Sequence, residues 1–393
     1  MIPYSTQTIT WIDALYVAFT VKCKNLTQGS EITRFENSVA SYVGAKYAVA
    51  VSSATAGLHL SHLALNLPAG SIVGTSPLSF VASANSALYA GLVPVFIDID
   101  INTGNISVNS FKKELQQHKI KTLVPVHYAG GPCEMEELHE ICIKNDIKII
   151  EDAAHALGSI YRSGEKVGSC KYSDLTVFSF HPVKTITSGE GGVITTNNKD
   201  LYEKLLKLRS HGIVKDIDKI KNNTFGFTAG VINPWYYEMD TLGYNYRITD
   251  FQAALGYSQM KKIGKFLSKR SKLAKRYDKA FNGNKFFQPT QLDFRKLSAN
   301  HLYPIKIDFT KVKISRNEIM NELRSRGIVT QVHYLPIPLH NYYQKLGYSL
   351  ENLPNTMNLY CQLLSIPLFP KLKLAKQNKV IKELQNLIND DNE

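Results

Sequence analysis

No stretch of 18 or more apolar residues occurs in this 393-residue chain, which argues against a transmembrane helix, and no membrane association is expected. The opening residues, Met1-Ile2-Pro3-Tyr4-Ser5-Thr6-Gln7, lack the basic and apolar regions of a secretory signal. Cysteine is scarce: Cys23, Cys133, Cys142, Cys170 and Cys361 are odd in number, widely spaced and without a C-x-x-C pair. Neither a disulfide framework nor a metal site is expected, and such usage fits a reducing cytoplasm. Internal repeats and low-complexity tracts are missing too. No nucleic-acid recognition module accompanies the net charge of +13. The basic residues fall mostly singly on helical faces, as at Lys261-Lys262, Lys265 and Lys269-Arg270, so a solvated surface is expected and no nucleic-acid partner.

What is present is an ordinary globular composition, 44% hydrophobic and 20% charged, in a chain too long for one core. From about residue 45 to 200, short apolar runs alternate with amphipathic ones, the pattern of an α/β sheet. Strands are expected at 46–51, 71–75, 93–97, 122–126, 147–152, 175–180 and 192–195. Helices are expected at 55–65, 79–90, 110–118 and 134–145. A helix at 201–209 and a loop at 222–244 lead to a long helical run at 249–279. Beyond it come a strand at 302–307 and helices at 316–326 and 374–388, with a frayed tail at 389–393. The expected division is a large domain over 1–258 and a smaller α/β domain over 259–393. In open α/β sheets the ligand sits beyond the carboxyl ends of the strands. The 52–55 turn, Asp152 and 180–184 all lie there.

Those strand ends carry a chemistry. Asp152 closes an apolar strand, and Lys184 is the only lysine between Lys171 and Lys199, standing between a polar turn and Gly189-Glu190-Gly191-Gly192. A lysine amine that condenses with an aldehyde and a carboxylate that keeps a pyridine nitrogen protonated are the needs of pyridoxal 5'-phosphate (PLP). Asp152 by itself could equally cap a helix opening at Ala153. His155 shares a face with Asp152 if a helical turn begins there, and would donate to the phenolic oxygen of the cofactor. Ser53, Ala54 and Thr55, at the mouth of a helix, offer small residues and free amides to a phosphate. Ser179 adds a hydroxyl, and Phe80 is suited to stack on the pyridine face. Taken singly, Ser53 is an ordinary N-cap and Phe80 an ordinary core ring.

Further segments extend the pattern: Gly44-Ala45-Lys46-Tyr47-Ala48-Val49, Pro94-Val95-Phe96-Ile97-Asp98-Ile99-Asp100, Glu151-Asp152-Ala153-Ala154-His155-Ala156-Leu157-Gly158, Phe178 to Lys184, and Gly243-Tyr244-Asn245-Tyr246-Arg247. With Gln252-Ala253-Ala254-Leu255-Gly256, this set closely resembles the DegT/DnrJ/EryC1/StrS family of sugar aminotransferases, over about residues 27–368. The resemblance implies a fold-type-I PLP-dependent transferase with a central, mostly parallel seven-stranded sheet. It implies that Lys184 binds the cofactor, that Asp152 meets the ring nitrogen, and that Asn245 reaches the phosphate of a neighbouring subunit in a homodimer with shared sites.

Leu26-Thr27-Gln28-Gly29, Asn300 to Ile305 and Arg326 to Tyr334 are most similar to the branch of the family serving pseudaminic acid biosynthesis. That likeness implies a UDP-linked 4-keto-6-deoxy-N-acetylhexosamine as acceptor and L-glutamate as donor. It puts Tyr4, Lys24, Asn25, Leu26, Thr27, Gln331, Val332, His333 and Tyr334, with Ser53, on the nucleotide sugar; Arg247 is the candidate for the donor carboxylate. Two departures stand out: a longer 215–238 segment, and Ala54 where much of the family has glycine. The alternatives are a C4 or C3 aminotransferase acting on another UDP- or dTDP-ketosugar, a sugar dehydratase, and a basic binding protein on the same fold. The dehydratases carry histidine in place of the lysine, and here Lys184 is present.

Overall fold

Seven short strands form the central sheet of the computed structural model, which describes residues 1–216, 218, 220–221 and 223–389. In chain order, α1 (Trp11–Cys23) and α2 (Ser30–Val43) precede β1 (Tyr47–Val51) and α3 (Ala54–Leu65). There follow β2 (Ile72–Thr75), α4 (Ala82–Tyr89), β3 (Val93–Phe96), α5 (Val108–Gln117), β4 (Ile120–Val124) and α6 (Met135–Lys144). β5 (Lys148–Asp152), β6 (Leu175–Ser179), β7 (Gly192–Thr196) and α7 (Lys199–Arg209) complete the unit. The spatial order is β1-β7-β6-β5-β4-β2-β3, and only β7 runs against the other six. A mostly parallel sheet needs both faces covered, so its strands are buried along nearly their whole length. The fold class implied by the resemblance is the one observed.

Local chemistry explains the edges of the elements. Ile32, Phe35, Val39 and Val43 of α2 recur at helical spacing and are buried, and Gly44 ends the helix with φ +85°, a left-handed turn that favours glycine. The helical run expected at 249–279 is broken: helices Asp250–Met260 and Ile263–Phe281 meet at Lys261-Lys262, where Lys262 has left helical geometry. Helix α4 starts at Ala82 rather than at 79, because Ser79 and Phe80 lie in the turn before it. The second sheet, Phe287–Pro289, Tyr303–Ile307 and Leu363–Ile366, is antiparallel, and its two outer strands were not foreseen. The boundary expected at 258/259 falls just before the 261–262 break. Ile263 and Phe266 still pack on the large core, whereas Leu273 onward packs around the small sheet, together with Ile2. Residues 217, 219 and 222 of the long 215–238 segment, and 390–393 of the tail, lie outside the described residues. Among the described residues, no helix is long and apolar enough to cross a membrane.

The end of β5 is held from inside by a buried carboxylate. Glu151 accepts from His127 Nε2 (2.7 Å), Tyr161 Oη (2.7 Å), Ser173 Oγ (2.5 Å) and Thr176 Oγ1 (2.9 Å). His127 Nδ1 accepts the Cys133 amide (3.0 Å), so the ring is neutral and spends its one proton on Glu151. Burial alone would raise the Glu151 pKa; the surrounding donors outweigh it and hold the carboxyl below its usual range. Replacing Glu151 with Gln turns acceptor sites into N–H groups facing O–H and N–H donors. Glu151→Gln should lower stability by at least about 2 kcal/mol in equilibrium urea unfolding. An unchanged midpoint would show that the network does not carry β5.

Candidate active site

At the carboxyl ends of β5 and β6 opens a cavity of about 740 Å³. Its floor and walls include Asp152, Lys184, His155, Ser179, Phe80 and the 52–55 turn. Asp152 ends β5 and is buried; Oδ1 accepts the Ala154 amide (3.1 Å) and Oδ2 accepts from Ser83 Oγ (2.6 Å). No helix follows for Asp152 to cap, since residues 153–158 form turns, and His155 reaches the cavity from one of these. His155 Nε2 meets Tyr334 Oη at 3.0 Å, while its buried Nδ1 has no partner. Burial, with Lys184 and His333 adding to it, drives the His155 pKa well below the usual range, so the ring is neutral.

Lys184 is half-buried on the loop between β6 and β7, where its amide closes a turn on the His181 carbonyl (2.9 Å). Loss of water pushes its amine down to about 8, against an opposing pull from Asp152. Across the cavity, Ser53 caps α3 by accepting the Ala56 amide (3.1 Å), so the first turn of the helix opens onto the cavity wall. Gly192, at the start of β7, passes so close that an added Cβ would stand 2.6 Å from the Ser53 carbonyl and 2.7 Å from the Ala54 nitrogen. Glycine at this point is therefore a condition for the 52–55 turn, and Ala54 adds only a methyl to it. Phe80 keeps 58% of its surface exposed although it borders the cavity.

Several predicted residues come from elsewhere in the chain. Tyr4, Gln331, Val332, His333 and Tyr334 line the cavity opposite the sheet. The His333 ring stands 5.3 Å from that of Tyr4, and its Nδ1 meets Ser365 Oγ at 2.9 Å. Burial, with Lys184 adding to it, lowers the His333 pKa to about 3. His301, buried and 4.6 Å from the His155 ring, also lines the cavity and was missed as a site residue. Only its place within the Asn300–Ile305 match pointed to it.

A second group is not brought to the cavity of its own chain. Lys24, Asn25, Leu26 and Thr27 are exposed beside the helix Asp250–Met260, with the Leu26 carbonyl accepting the Asp250 amide (2.9 Å). Asn245 is exposed and Arg247 half-buried. The Tyr246 carbonyl between them accepts the Ser52 amide (2.8 Å), so this segment runs along the back of the 52–55 turn.

The pieces fit a pyridine ring with an aldehyde and a phosphate: a carboxylate at one end, an amine beside it, a helix start opposite, and an orphaned imidazole nitrogen between. The DegT/DnrJ/EryC1/StrS aminotransferase family matches residues 12–385. The chain belongs to that family.

A UDP-4-amino-4,6-dideoxy-N-acetyl-beta-L-altrosamine transaminase of Campylobacter jejuni is 39% identical over 98% of this chain and 96% of that protein. The structure of Helicobacter pylori PseC, an aminotransferase involved in the biosynthesis of pseudoaminic acid, superposes with a TM-score of 0.90 at 32% identity, covering 99% of both chains. An aminotransferase from Psychrobacter cryohalolentis gives 0.90 at 26% identity over the full length of both. Related structures include PLP and PMP forms. The protein is a PLP-dependent sugar aminotransferase.

A neutral amine is the form that captures the cofactor aldehyde. With Lys184 at about 8, the aminotransferase stripped of cofactor should regain its visible band about fivefold faster at pH 8 than at pH 7, then level off above pH 9. Lys184→Ala should give no band. A rate still climbing steeply past pH 9 would mean an amine with an ordinary lysine pKa.

Proposed function

We propose that the aminotransferase moves an amino group from L-glutamate to C4 of a UDP-linked 4-keto-6-deoxy-N-acetylhexosamine, in pseudaminic acid biosynthesis. The observation that carries this reading is that Tyr4 and Gln331 to Tyr334 line the same cavity as Lys184, Gln331 to Tyr334 falling in a segment most similar to that branch. The names of the Campylobacter and Helicobacter relatives support it.

When bound, PLP supplies the electron sink and carries the amino group between the two half-reactions. In the first half, Lys184 Nζ would take the proton from the donor α-carbon and hold it within the site. In the second, it returns a proton to C4 of the sugar. A pKa near 8 leaves enough neutral amine for this task near pH 7. Asp152 would hold the ring nitrogen in its protonated form, His155 would offer Nδ1 to the phenolic oxygen, and Phe80 would take the ring face. Ser179 and the first turn of α3 would hold the phosphate.

The same reading calls for a second subunit. Lys184 is the only lysine on the cavity wall, and no arginine lies there among the described residues, yet both the donor and a nucleotide diphosphate carry two negative charges. Helix α1 supplies the contact surface: its polar Asp13 is buried against Ser258, Gln259 and Lys262, while Trp11, Ile12, Leu15 and Phe19 are 57–84% exposed. An apolar face turned outward beside Lys24–Thr27 fits a homodimer in which Asn245, Arg247 and Lys24–Thr27 act on the neighbouring site.

The purified enzyme with glutamate should aminate the UDP-4-ketosugar in preference to other nucleotide ketosugars. Absence of turnover with that acceptor alone in a panel would refute the assignment. His333→Ala should convert with glutamate at a near-normal rate but pass the amino group to the sugar at least about tenfold more slowly, a loss of about 1.4 kcal/mol. Equal losses in both halves would move His333 to the cofactor or donor site. Lys184→Ala and Asn245→Ala chains, each inactive alone, should regain activity when mixed. Heterodimers without activity would exclude the action of Asn245 across the interface.

A further inference from the structure

Helix α4 packs against the sheet with a face of small residues, Ala82, Ser83, Ala84, Ser86 and Ala87, all buried. Two of these are serines where alanine would pack as well, and their hydroxyls do different things. Ser86 Oγ turns back onto the Ser83 carbonyl (3.2 Å), a local bond that any helical serine can make. Ser83 Oγ instead crosses to β5 and donates to Asp152 Oδ2 at 2.6 Å, 69 residues away in the chain. That length is typical of a hydroxyl bonded to an ionised carboxylate. The Phe80 carbonyl, 3.3 Å from the same hydroxyl, is the weaker competitor.

The donors and acceptors then order themselves. Ser83 has one proton, and the carboxylate takes it. Ser79 Oγ lies 2.7 Å from Ser83 Oγ, so Ser79 must be the donor in that pair. On Asp152, Oδ1 is held by the Ala154 amide and Oδ2 by Ser83, so both oxygens are fixed and their remaining lone pairs are free for the cavity. Ser83 is fully buried and does not line the cavity, so it touches neither cofactor nor substrate.

We infer that Ser83 is a positioning residue for Asp152: the Ser79–Ser83–Asp152 chain keeps the carboxylate aimed at the cavity, and thereby keeps the proton on the cofactor ring nitrogen. This rests on the reading of Asp152 as the partner of that nitrogen. A carboxylate released from Ser83 turns away, the ring becomes less cationic, and the proton at the Lys184–cofactor linkage is held more tightly. Lys184 and Tyr334, which also act electrostatically on or are acted on by Asp152, are untouched by changes in the serines.

The test uses the holoenzyme and two readouts other than turnover: the pH midpoint of its visible band and the dissociation constant of PLP. Ser83→Ala should raise the midpoint by about half a pH unit and weaken PLP binding at least about tenfold, or about 1.4 kcal/mol. Ser83→Thr, which keeps the hydroxyl, should restore both to near the parent values. Asp152→Asn should change both readouts more than Ser83→Ala does. If Asp152→Asn changes them and Ser83→Ala does not, the positioning role is overturned while the site assignment stands. If neither variant changes them, the assignment of Asp152 itself fails and the inference falls with it. Should Ser83→Ala not fold, Ser83→Cys, whose thiol is a weaker donor, decides: a smaller rise in the same direction supports the chain, and no change overturns it.

Discussion

Two neighbouring carboxylates at the end of β5 face opposite sides of the sheet, as successive strand residues must, and their different treatment organises the molecule. Glu151 points into the interior and is met by four donors, so it is a finished structural anchor. Asp152 points to the cavity with one amide and one hydroxyl, and among the described residues Lys184 is the cation acting on it. A buried carboxylate in that position either protonates or receives a cationic ligand. The protonated pyridine of PLP is such a ligand. The rigidity of Glu151 and the availability of Asp152 thus belong to one design, in which the anchor fixes the backbone from which the functional group projects.

The cavity closes because distant parts of the chain converge on it. Ile2 pairs in parallel with Ile328, the Tyr4 carbonyl accepts the Leu368 amide (3.0 Å), and Ser5 Oγ bonds to the Val183 carbonyl (3.1 Å) next to Lys184. The N-terminal segment is therefore stitched to the small sheet at one end and to the lysine loop at the other. Arg270, fully buried, donates to the carbonyls of His301 (2.9 Å) and Leu368 (3.0 Å), and so fixes the strand entry that brings His301 to the site. Burial, with Lys184 adding to it, holds the rings of His155, His301 and His333 neutral, so these three add no positive charge beside the lysine.

Much of this was legible from residue types and their spacing. The alternation of apolar strands and amphipathic helices identifies the sheet, because each pattern reports a face that must be buried. Asp152 and Lys184 stand out since a carboxylate at a strand end and a solitary lysine before a glycine run have few structural uses. The need for Gly192 follows from a backbone approach that no pattern reveals. The break at Lys261-Lys262 carries no breaker residue such as glycine or proline, and helices on both sides of it pack on the large core, so only the fold shows it; the passage to the small core comes later, between Phe266 and Leu273.

The sequence by itself determined the fold class, the family and the cofactor, and it singled out Asp152 and Lys184, because these depend on local pattern and on residues close to strand ends. Tertiary structure alone decided which remote residues share the cavity. Ser83 carries no local signal and His301 only its place in a matched segment, since what a histidine or a serine faces is set by folding. The same holds for the exposed face of α1 and for Asn245, which lie apart from the cavity of their own chain: how a surface is used is a property of the packing that leaves it uncovered.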